Sequence, residues 1–338
     1  MLLVRLCRTR RCPVLNNYFS SPLSGIQTFA ARRYSIVPFI RTIFSFSMLS
    51  LPRMCRADRT TASGYCKAPA GILAARAALH FWEEPCISGT QGSGAIFFSG
   101  CTLRCCFCQN YKISRAPQGK SISSERLAEI FLELQEQDAH NINLVTATHY
   151  LPWILPALDM VKKQLHIPVV YNCGGYERLE TIQALRSYVD IWLPDLKYFS
   201  SNLSRRYSQA PDYFDRASAA IRQMILQTGT PVFDAQGIMQ KGVIIRHLVL
   251  PGQKEDSIQL IKWMAEELPK KQFYISLLSQ YTPYEKNPDF PELNRRITSY
   301  EYQKVVDTAL ESGLEQGFMQ KRTSAKEEYT PSFAYQGL

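Results

Sequence analysis

Three closely spaced cysteines have the arrangement of metal ligands. Cys101, Cys105 and Cys108 form a C-x3-C-x2-C motif in the segment 100–110, which reads GCTLRCCFCQN. Cysteine thiolates are the usual ligands of iron–sulfur clusters, and a four-iron cluster is fully ligated by four of them. Three ligands leave one iron open to another molecule. The motif therefore predicts a [4Fe–4S] cluster at which chemistry can occur.

Other uses of cysteine fit this sequence less well. A structural zinc site usually needs a second pair of ligands at a similar short spacing, and no such pair follows the motif. A disulfide framework is typical of short secreted chains, whereas these 10 cysteines are scattered over 338 residues. Buried free cysteine, which behaves as a small apolar side chain, is the remaining alternative.

Strand-like and helix-like patterns alternate along the chain from residue 95. Short apolar or β-branched runs predict six strands, at 95–98, 142–145, 167–172, 189–197, 242–250 and 272–278. Apolar residues at helical spacing predict helices within 127–134, 154–165, 179–185, 211–227, 258–268 and 300–310, and a helix-like run also covers 72–80. The alternation indicates βα units around a parallel sheet, which is either an open doubly wound sheet or a barrel.

Polar or glycine residues follow each predicted strand. They occupy 99–100, 146–149, 172–175, 195–197, 251–252 and 279–281. In parallel α/β proteins, ligands bind at the carboxyl ends of the strands, where loops and helix N-termini converge. Because the cysteine motif follows the first strand, we expect one cofactor site to draw on all six segments.

The combination of motif and strand pattern resembles the radical S-adenosylmethionine (SAM) superfamily. In that superfamily the amine and carboxylate of SAM chelate the open iron, and an electron from the cluster cleaves SAM to give a 5'-deoxyadenosyl radical. The cofactors carry the difficult chemistry, and the protein binds and orients them. The resemblance thus implies two cofactors, a [4Fe-4S] cluster and S-adenosyl-L-methionine.

Within the superfamily, the chain resembles the pyruvate formate-lyase activating enzyme branch and its uncharacterised iron–sulfur relatives. The landmarks, found within residues 83–320, are SGCTLRCCFCQN, INLVTATH, VVYNCGGY, DIWLPDLKY, IRHLVLPG and SLLSQYTP. The resemblance implies an α/β fold, a partial (β/α)6 barrel of parallel strands with an N-terminal extension. It also selects Cys105 over its neighbour Cys106, which would give a C-x4-C-x-C spacing.

The same resemblance implies a set of site residues. The metal ligands are Cys101, Cys105 and Cys108, and the cofactor-binding residues are Phe107, Gln109, Thr146, His149, Asn172, Asp195, Lys197 and Arg246. Phe107 and Gln109 would flank the adenine. Asp195 and Lys197 match a D-x-K element that approaches the methionyl group of SAM, and such a pair also complements a zwitterion. An ordinary surface ion pair is the alternative.

Several positions depart from the activating enzymes. Residues 146–149 stand where those enzymes usually have a G-G-E-like turn, so His149 either replaces the acceptor of the SAM amine or is a hydrogen-bonded core histidine. Asn172 stands where an aspartate is common, which weakens the expectation of a bound cation. Arg246 either faces the SAM carboxylate or bridges neighbouring side chains.

The positive charge of the chain is concentrated near its N-terminus. The formal net charge is +10, and residues 1–56 contain nine arginines and no lysine or acidic residue. The rest of the chain therefore carries only about +1, which argues against a nucleic-acid partner. An Arg-rich, acid-free N-terminus is typical of a mitochondrial transit peptide. The alternatives are a disordered leader, or an upstream start with Met48 beginning the true protein, and the protein would then be cytoplasmic. The apolar segment 36–51 is too short and too interrupted to span a membrane.

These patterns divide the chain and suggest its role. We expect a transit-like or disordered leader at 1–50, an N-terminal extension at 51–93, a radical SAM domain at 94–320 and a partly disordered polar tail at 321–338. The branch resemblance implies an oxidoreductase that receives electrons from a flavodoxin- or ferredoxin-like protein and activates a glycyl-radical partner protein. Radical modification of a small molecule or RNA, and a non-catalytic iron–sulfur protein with Cys106 or Cys173 as fourth ligand, are the alternatives.

Overall fold

The computed structural model describes residues 3–5, 51–61, 63–116, 118–283, 286–320, 331 and 333–338, and for residues 3–5 it describes the backbone only. Most of the predicted leader and residues 321–330 of the predicted tail lie outside the described residues. In the described part, no helix is long and apolar enough to cross a membrane.

The alternating apolar runs form an open, mostly parallel sheet. Its strands are β1 (Leu3–Arg5), β2 (Ile72–His80), β3 (Ser93–Phe98), β4 (Lys120–Ile122), β5 (Ile142–Val145), β6 (Val169–Cys173), β7 (Ile191–Pro194), β8 (Val232–Phe233), β9 (Met239–Leu248), β10 (Tyr274–Leu278) and β11 (Gly317–Gln320). The order is β1-β11-β10-β9-β7-β6-β5-β3-β2-β4, with β8 paired to β9. From β11 to β3 in this order, each strand runs parallel to the next one. The predicted partial barrel of parallel strands is confirmed, and the sheet does not close.

Helices cover the outside of the sheet. They are α1 (Pro85–Ser88), α2 (Tyr111–Ser114), α3 (Ser124–Glu136), α4 (Leu151–Val161), α5 (Leu179–Ala184), α6 (Ser201–Ser208), α7 (Tyr213–Thr228), α8 (Lys254–Glu267) and α9 (Ser299–Glu311). Helix α3 is typical: Ser123 accepts a hydrogen bond from the Arg126 N–H at its start, and its buried side chains recur at helical spacing.

One element was predicted with the wrong type. The run 72–80, expected to be helical, is strand β2, which pairs antiparallel with β3 and β4. Four of its nine residues are alanines, which have the highest helix propensity. Its partly exposed residues, Leu73, Arg76 and Leu79, also recur every three positions, close to helical spacing, and a β-bulge interrupts the strand between Ala74 and Arg76. Pairing with β3 therefore overrides the local preference.

The end of the chain returns to the sheet. Strand β11 lies next to one edge of the sheet and β2 lies next to the other. Beyond β11, the Ala77 N–H of β2 donates to the Gln336 carbonyl (2.9 Å), and Arg76 donates to the Gln336 side chain (3.1 Å). Phe333 packs edge-on against Phe97 of β3, with ring centroids 5.6 Å apart. The last residues of the predicted tail are thus in contact with the open side of the barrel.

Candidate cofactor site

The cysteine loop begins at the carboxyl end of β3 and is held from both sides. The Gly100 N–H donates to the Ile113 carbonyl (2.8 Å), and the Cys101 N–H donates to the Cys66 carbonyl (3.2 Å). Gly100 has a φ of +85°, and a Cβ there would lie 2.5 Å from the Cys66 carbonyl oxygen. Glycine is therefore required at this turn, because it alone fits both the dihedral angle and the close approach.

The three motif sulfurs each have a hydrogen-bond partner. The pairs are the Leu103 N–H with Cys101 Sγ (3.4 Å), Ser208 Oγ with Cys105 Sγ (2.9 Å) and Ser114 Oγ with Cys108 Sγ (3.3 Å). Ser208 is buried and also bonds to the Tyr198 hydroxyl (2.6 Å). Hydrogen bonds to ligand sulfurs orient them and set the potential of a bound cluster.

The chemistry of these donors fits an iron–sulfur cluster. Cys101, Cys105 and Cys108 line one cavity of about 210 Å³. Burial, and then the neighbouring cysteines, raise the pKa of the Cys101 and Cys108 thiols. Three thiolates in one buried place therefore need a cationic partner, which iron supplies. Within the described residues, no group of three or more His, Cys, Asp or Glu side chains is arranged so that it could hold a single metal ion.

A buried network of charged side chains also lines this cavity. Arg246 on β9 donates to Asp195 Oδ1 (3.0 Å), Glu83 Oε2 (3.1 Å) and Asn172 Oδ1 (2.5 Å). Lys197 Nζ lies 2.6 Å from Asp195 Oδ2. The four charged side chains are 10–22% exposed, so this is a buried network rather than a surface ion pair. Two cationic side chains and two carboxyl groups meet here, and burial raises the pKa of Glu83 although Arg246 opposes this.

The network controls the ionisation of its members. Burial opposes the charge of Asp195, but Arg246 and Lys197 outweigh it and hold the pKa of that carboxyl below its ordinary value. Asp195 in turn raises the pKa of Lys197 and of Arg246 against the effect of burial. Asp195, Lys197 and Arg246 are therefore charged at neutral pH and can bind charged groups of a ligand.

Comparisons with known proteins agree with this geometry. The sequence profile of the Radical SAM superfamily matches residues 95–264 of the chain. The chain belongs to the radical SAM superfamily. An uncharacterized protein of Methanocaldococcus jannaschii is 29% identical over 271 residues, which are 77% of this chain and 73% of that protein.

Solved structures with a similar arrangement are more distant. Streptococcus suis SuiB bound to the precursor peptide SuiA has a TM-score of 0.44 and 17% identity, and the match covers 65% of this chain but only 46% of SuiB. A domain of pyruvate-formate lyase-activating enzyme from Bacteroides vulgatus has a TM-score of 0.37 and 16% identity, over 49% of this chain and 91% of that domain. The family assignment depends on the sequence profile.

Radical SAM enzymes use a [4Fe–4S] cluster and SAM, and both are cofactors of this protein. Of the predicted cofactor residues, seven line the cavity together with the three cysteines. They are Phe107, Gln109, Thr146, Asn172, Asp195, Lys197 and Arg246. Phe107 lies among Tyr198, Tyr207 and Tyr281, with ring centroids 6.2–6.5 Å away. Gln109 accepts a hydrogen bond from Gln280 Nε2 (3.1 Å).

His149 is buried behind the radical SAM cysteine loop rather than in the cavity. Its Nε2 lies 2.7 Å from the Ser99 carbonyl, and its ring lies 4.4 Å from that of Tyr150. Burial lowers the pKa of this imidazole to about 3. The imidazole is therefore neutral and donates from Nε2 to the residue that precedes Gly100, which matches the core-histidine alternative.

The other cysteines near the loop face different spaces. Cys106 lines two grooves on the outer side of the loop, and its N–H donates to the Tyr207 carbonyl (2.8 Å). Cys173, at the end of β6, lines the radical SAM cavity itself. The placement supports the choice of Cys105 over Cys106, because Cys105 lines the cavity with Cys101 and Cys108 whereas Cys106 does not.

Sequence reasoning missed several residues of the cavity. The sequence pattern marks Gln280 only as a polar residue after a strand, and it does not mark Glu83. His80, Trp82, Phe97 and Pro331 form the side of the cavity that faces the opening of the barrel, which we call the open side. No motif marks these residues: His80 ends β2, which the local pattern predicts as a helix, Pro331 lies in the polar tail, and Phe97 lies in a predicted strand whose apolar pattern does not indicate a cavity.

Proposed function

We propose that the protein cleaves SAM reductively and uses the resulting 5'-deoxyadenosyl radical to abstract a hydrogen atom from a substrate bound at the open side of the cavity. One observation carries this proposal. Three cysteines and a network of buried charged side chains line a single cavity, in the part that we call the cofactor end, and aromatic side chains form another part of its lining. The site thus offers separate places for a cluster, a zwitterion and a substrate.

Different residues of the site would bind the cluster and the methionyl group of SAM. Cys101, Cys105 and Cys108 would hold the cluster, which supplies one electron to break the carbon–sulfur bond of SAM and release methionine. Lys197 and Arg246 would bind the carboxylate of the methionyl group, because both are buried and charged. Asp195 would keep them in place.

Aromatic and amide groups would bind the nucleoside part. Phe107 is fixed edge-on by three tyrosines and presents an apolar ring to the cavity. Gln109 and Gln280 bond to each other and both line the cavity. A purine could replace the hydrogen bond between these two amides by hydrogen bonds of its own while it packs on the Phe107 ring.

For the substrate, we propose a loop of a partner protein that is converted to a glycyl radical. The support is the resemblance of the cysteine, DIWLPDLKY and IRHLVLPG segments to activating enzymes. A flavodoxin- or ferredoxin-like protein would deliver the electron. Such a partner loop would enter through the open side of the barrel.

A small-molecule substrate is the second candidate. Pro331 lines the cavity, and Phe333 and Gln336 contact β3 and β2 beside it. A partner loop would have to compete with these residues, whereas a small molecule would be enclosed by them. The two candidates would also differ in their products, because a modified small molecule diffuses away whereas a partner protein keeps the radical.

Deuterium transfer tests the proposal and separates the candidates. The reconstituted enzyme would be incubated anaerobically with SAM, reductant and either a glycine-deuterated cell extract or a deuterated metabolite extract. We expect deuterium in 5'-deoxyadenosine from one of them, and a glycyl-radical signal in the electron paramagnetic resonance (EPR) spectrum if the partner is a protein. If SAM is cleaved and neither extract transfers deuterium, hydrogen abstraction from these substrate classes is excluded.

A further inference from the structure

A groove on the outer side of the cysteine loop carries a local excess of positive charge. It has a volume of about 340 Å³, and Cys101 and Cys106 form part of its floor. Its cations are Lys67, Arg104, Arg115 and Arg206, and we call it the basic groove. Among the described residues that line it, there is no carboxylate.

The charge of the basic groove is exposed and unusual for this molecule. All four cationic side chains are exposed. Arg206 is partly compensated, because its guanidinium lies 3.0 Å from Glu292. The chain beyond residue 56 carries a net charge of only about +1. Positive charge is therefore concentrated at the place where the loop meets solvent on the side away from the SAM cavity.

The walls of the groove are held by the N-terminal extension. Arg53 donates to the carbonyls of Thr102 (3.0 Å), in the cysteine loop, and Gln209 (2.5 Å), which lines the groove. The ring of Tyr65 lies between Arg53 and Arg104, with guanidinium-to-centroid distances of 4.2 and 4.3 Å. These contacts fix the shape of the groove before any partner binds.

We propose that the basic groove is the docking surface for a small, acidic electron-transfer protein that reduces the cluster. The inference rests on the proposed function, which requires one electron for each SAM cleaved. SAM and substrate occupy the cavity side of the loop, so the donor needs another approach to the ligand sulfurs. Cys101 lines both spaces and thereby connects them.

The chemistry of this step is a single electron transfer. The donor loses one electron, the oxidised cluster gains it, and no bond or proton is exchanged in the docked complex. Complementary charge accelerates the encounter of the two proteins and makes the rate depend on salt. The groove would select donors whose surface around the redox centre is negative.

Charge reversal tests this surface. The double variant Lys67→Glu and Arg104→Glu would be compared with the wild type and with Lys241→Glu, a control on β9. Lys241 is exposed and lies five residues before Arg246, toward the opposite end of that strand. All three would be reconstituted anaerobically, and cluster bleaching by reduced flavodoxin would be followed by stopped-flow absorbance at several salt concentrations. Dithionite-driven formation of 5'-deoxyadenosine would be measured in parallel.

We expect the double variant to be reduced by flavodoxin at least about 10-fold more slowly at low salt, with a weaker salt dependence, while the control resembles the wild type. Dithionite turnover should be the same in all three proteins. Equal flavodoxin rates in the variant and the wild type would overturn the docking proposal. If the wild type forms no 5'-deoxyadenosine with dithionite, the proposed function is refuted instead.

Discussion

The cofactor end and the open side of the cavity differ in how their residues are brought together. At the cofactor end, the three cysteines lie within eight residues of one loop, Asp195 and Lys197 follow β7, and Arg246 lies on its neighbour β9. At the open side, Arg76 and Gln336 meet across 260 positions of sequence. The cofactor end is therefore built by local motifs on a regular sheet, whereas the open side depends on contacts between distant segments.

The two regions also differ in what stabilises them. The cofactor end has buried ion pairs and hydrogen bonds to every motif sulfur. The described part of the open side has one backbone hydrogen bond to Gln336, one aromatic contact of Phe333 and a few exposed polar contacts. We infer that substitutions at the cofactor end affect both stability and cofactors, and that the open side tolerates change.

Removing a ligand should have the largest effect. Cys105→Ala is expected to abolish cluster binding and SAM cleavage, because a three-cysteine site loses one of its ligands. Iron and sulfide content and the visible spectrum measure this. Cys106→Ala is the matched control, and it should keep its cluster. Cluster loss in Cys106→Ala with retention in Cys105→Ala would reverse the ligand assignment.

Replacing the centre of the charge network should destabilise the protein. Arg246→Met leaves Glu83 buried without its cation and leaves Asp195 with Lys197 alone, and we expect a loss of about 3–5 kcal/mol in the free energy of unfolding. Urea denaturation of the cluster-free protein gives this value. Arg222→Met, which breaks an exposed ion pair with Glu267, should cost about 0–1 kcal/mol. Equal losses for the two variants would show that the network is not a buried unit.

The neutral histidine behind the loop should make stability depend on pH. The pKa of His149 is about 3 in the folded protein and about 6.5 when unfolded. Between these values the unfolded state binds one more proton, so stability falls as pH decreases from about 6.5 toward 3. His149→Asn should reduce this slope by about one proton in urea titrations at several pH values. The exposed His166→Asn is the control, and an unchanged slope in His149→Asn would contradict the assignment.

The hydrogen bond from Ser208 to Cys105 should tune the cluster. Ser208→Ala removes a donor from a ligand sulfur, which disfavours the more negative, reduced state. For a hydrogen bond worth about 1 kcal/mol, we expect the reduction potential to fall by about 40 mV. A redox titration followed by EPR measures it. Ser204→Ala, one turn earlier in α6, should leave the potential unchanged; a potential unaltered in Ser208→Ala would rule out the tuning role.

The smallest effect is expected at the open side. Phe333→Ala removes a half-buried ring from Phe97, and we expect a cost of about 0.5–1.5 kcal/mol, the value of an aromatic pair. Urea denaturation again provides the measurement. A loss as large as that of Arg246→Met would show that the end of the chain is an integral part of the core.

The sequence predicted the cofactor end better than the open side for a physical reason. A ligand motif after one strand and polar residues after the others predict a common site once the sheet is parallel. Asp195, Lys197 and Arg246 are then named from the resemblance to the radical SAM superfamily. Alanine-rich β2 has a local preference for helix, and only its partner β3 makes it a strand. The bonds of Ser208 to Cys105 and of Gln336 to Arg76 join distant segments, and no local pattern announces them.

The central claim is that three cysteines hold a [4Fe–4S] cluster whose fourth iron is open to SAM. It is tested most directly by EPR and Mössbauer spectra of the reduced, iron-57-labelled enzyme with and without SAM. The account predicts that SAM changes the EPR signal and shifts the Mössbauer parameters of one iron in four. Spectra that stay the same at saturating SAM would contradict it.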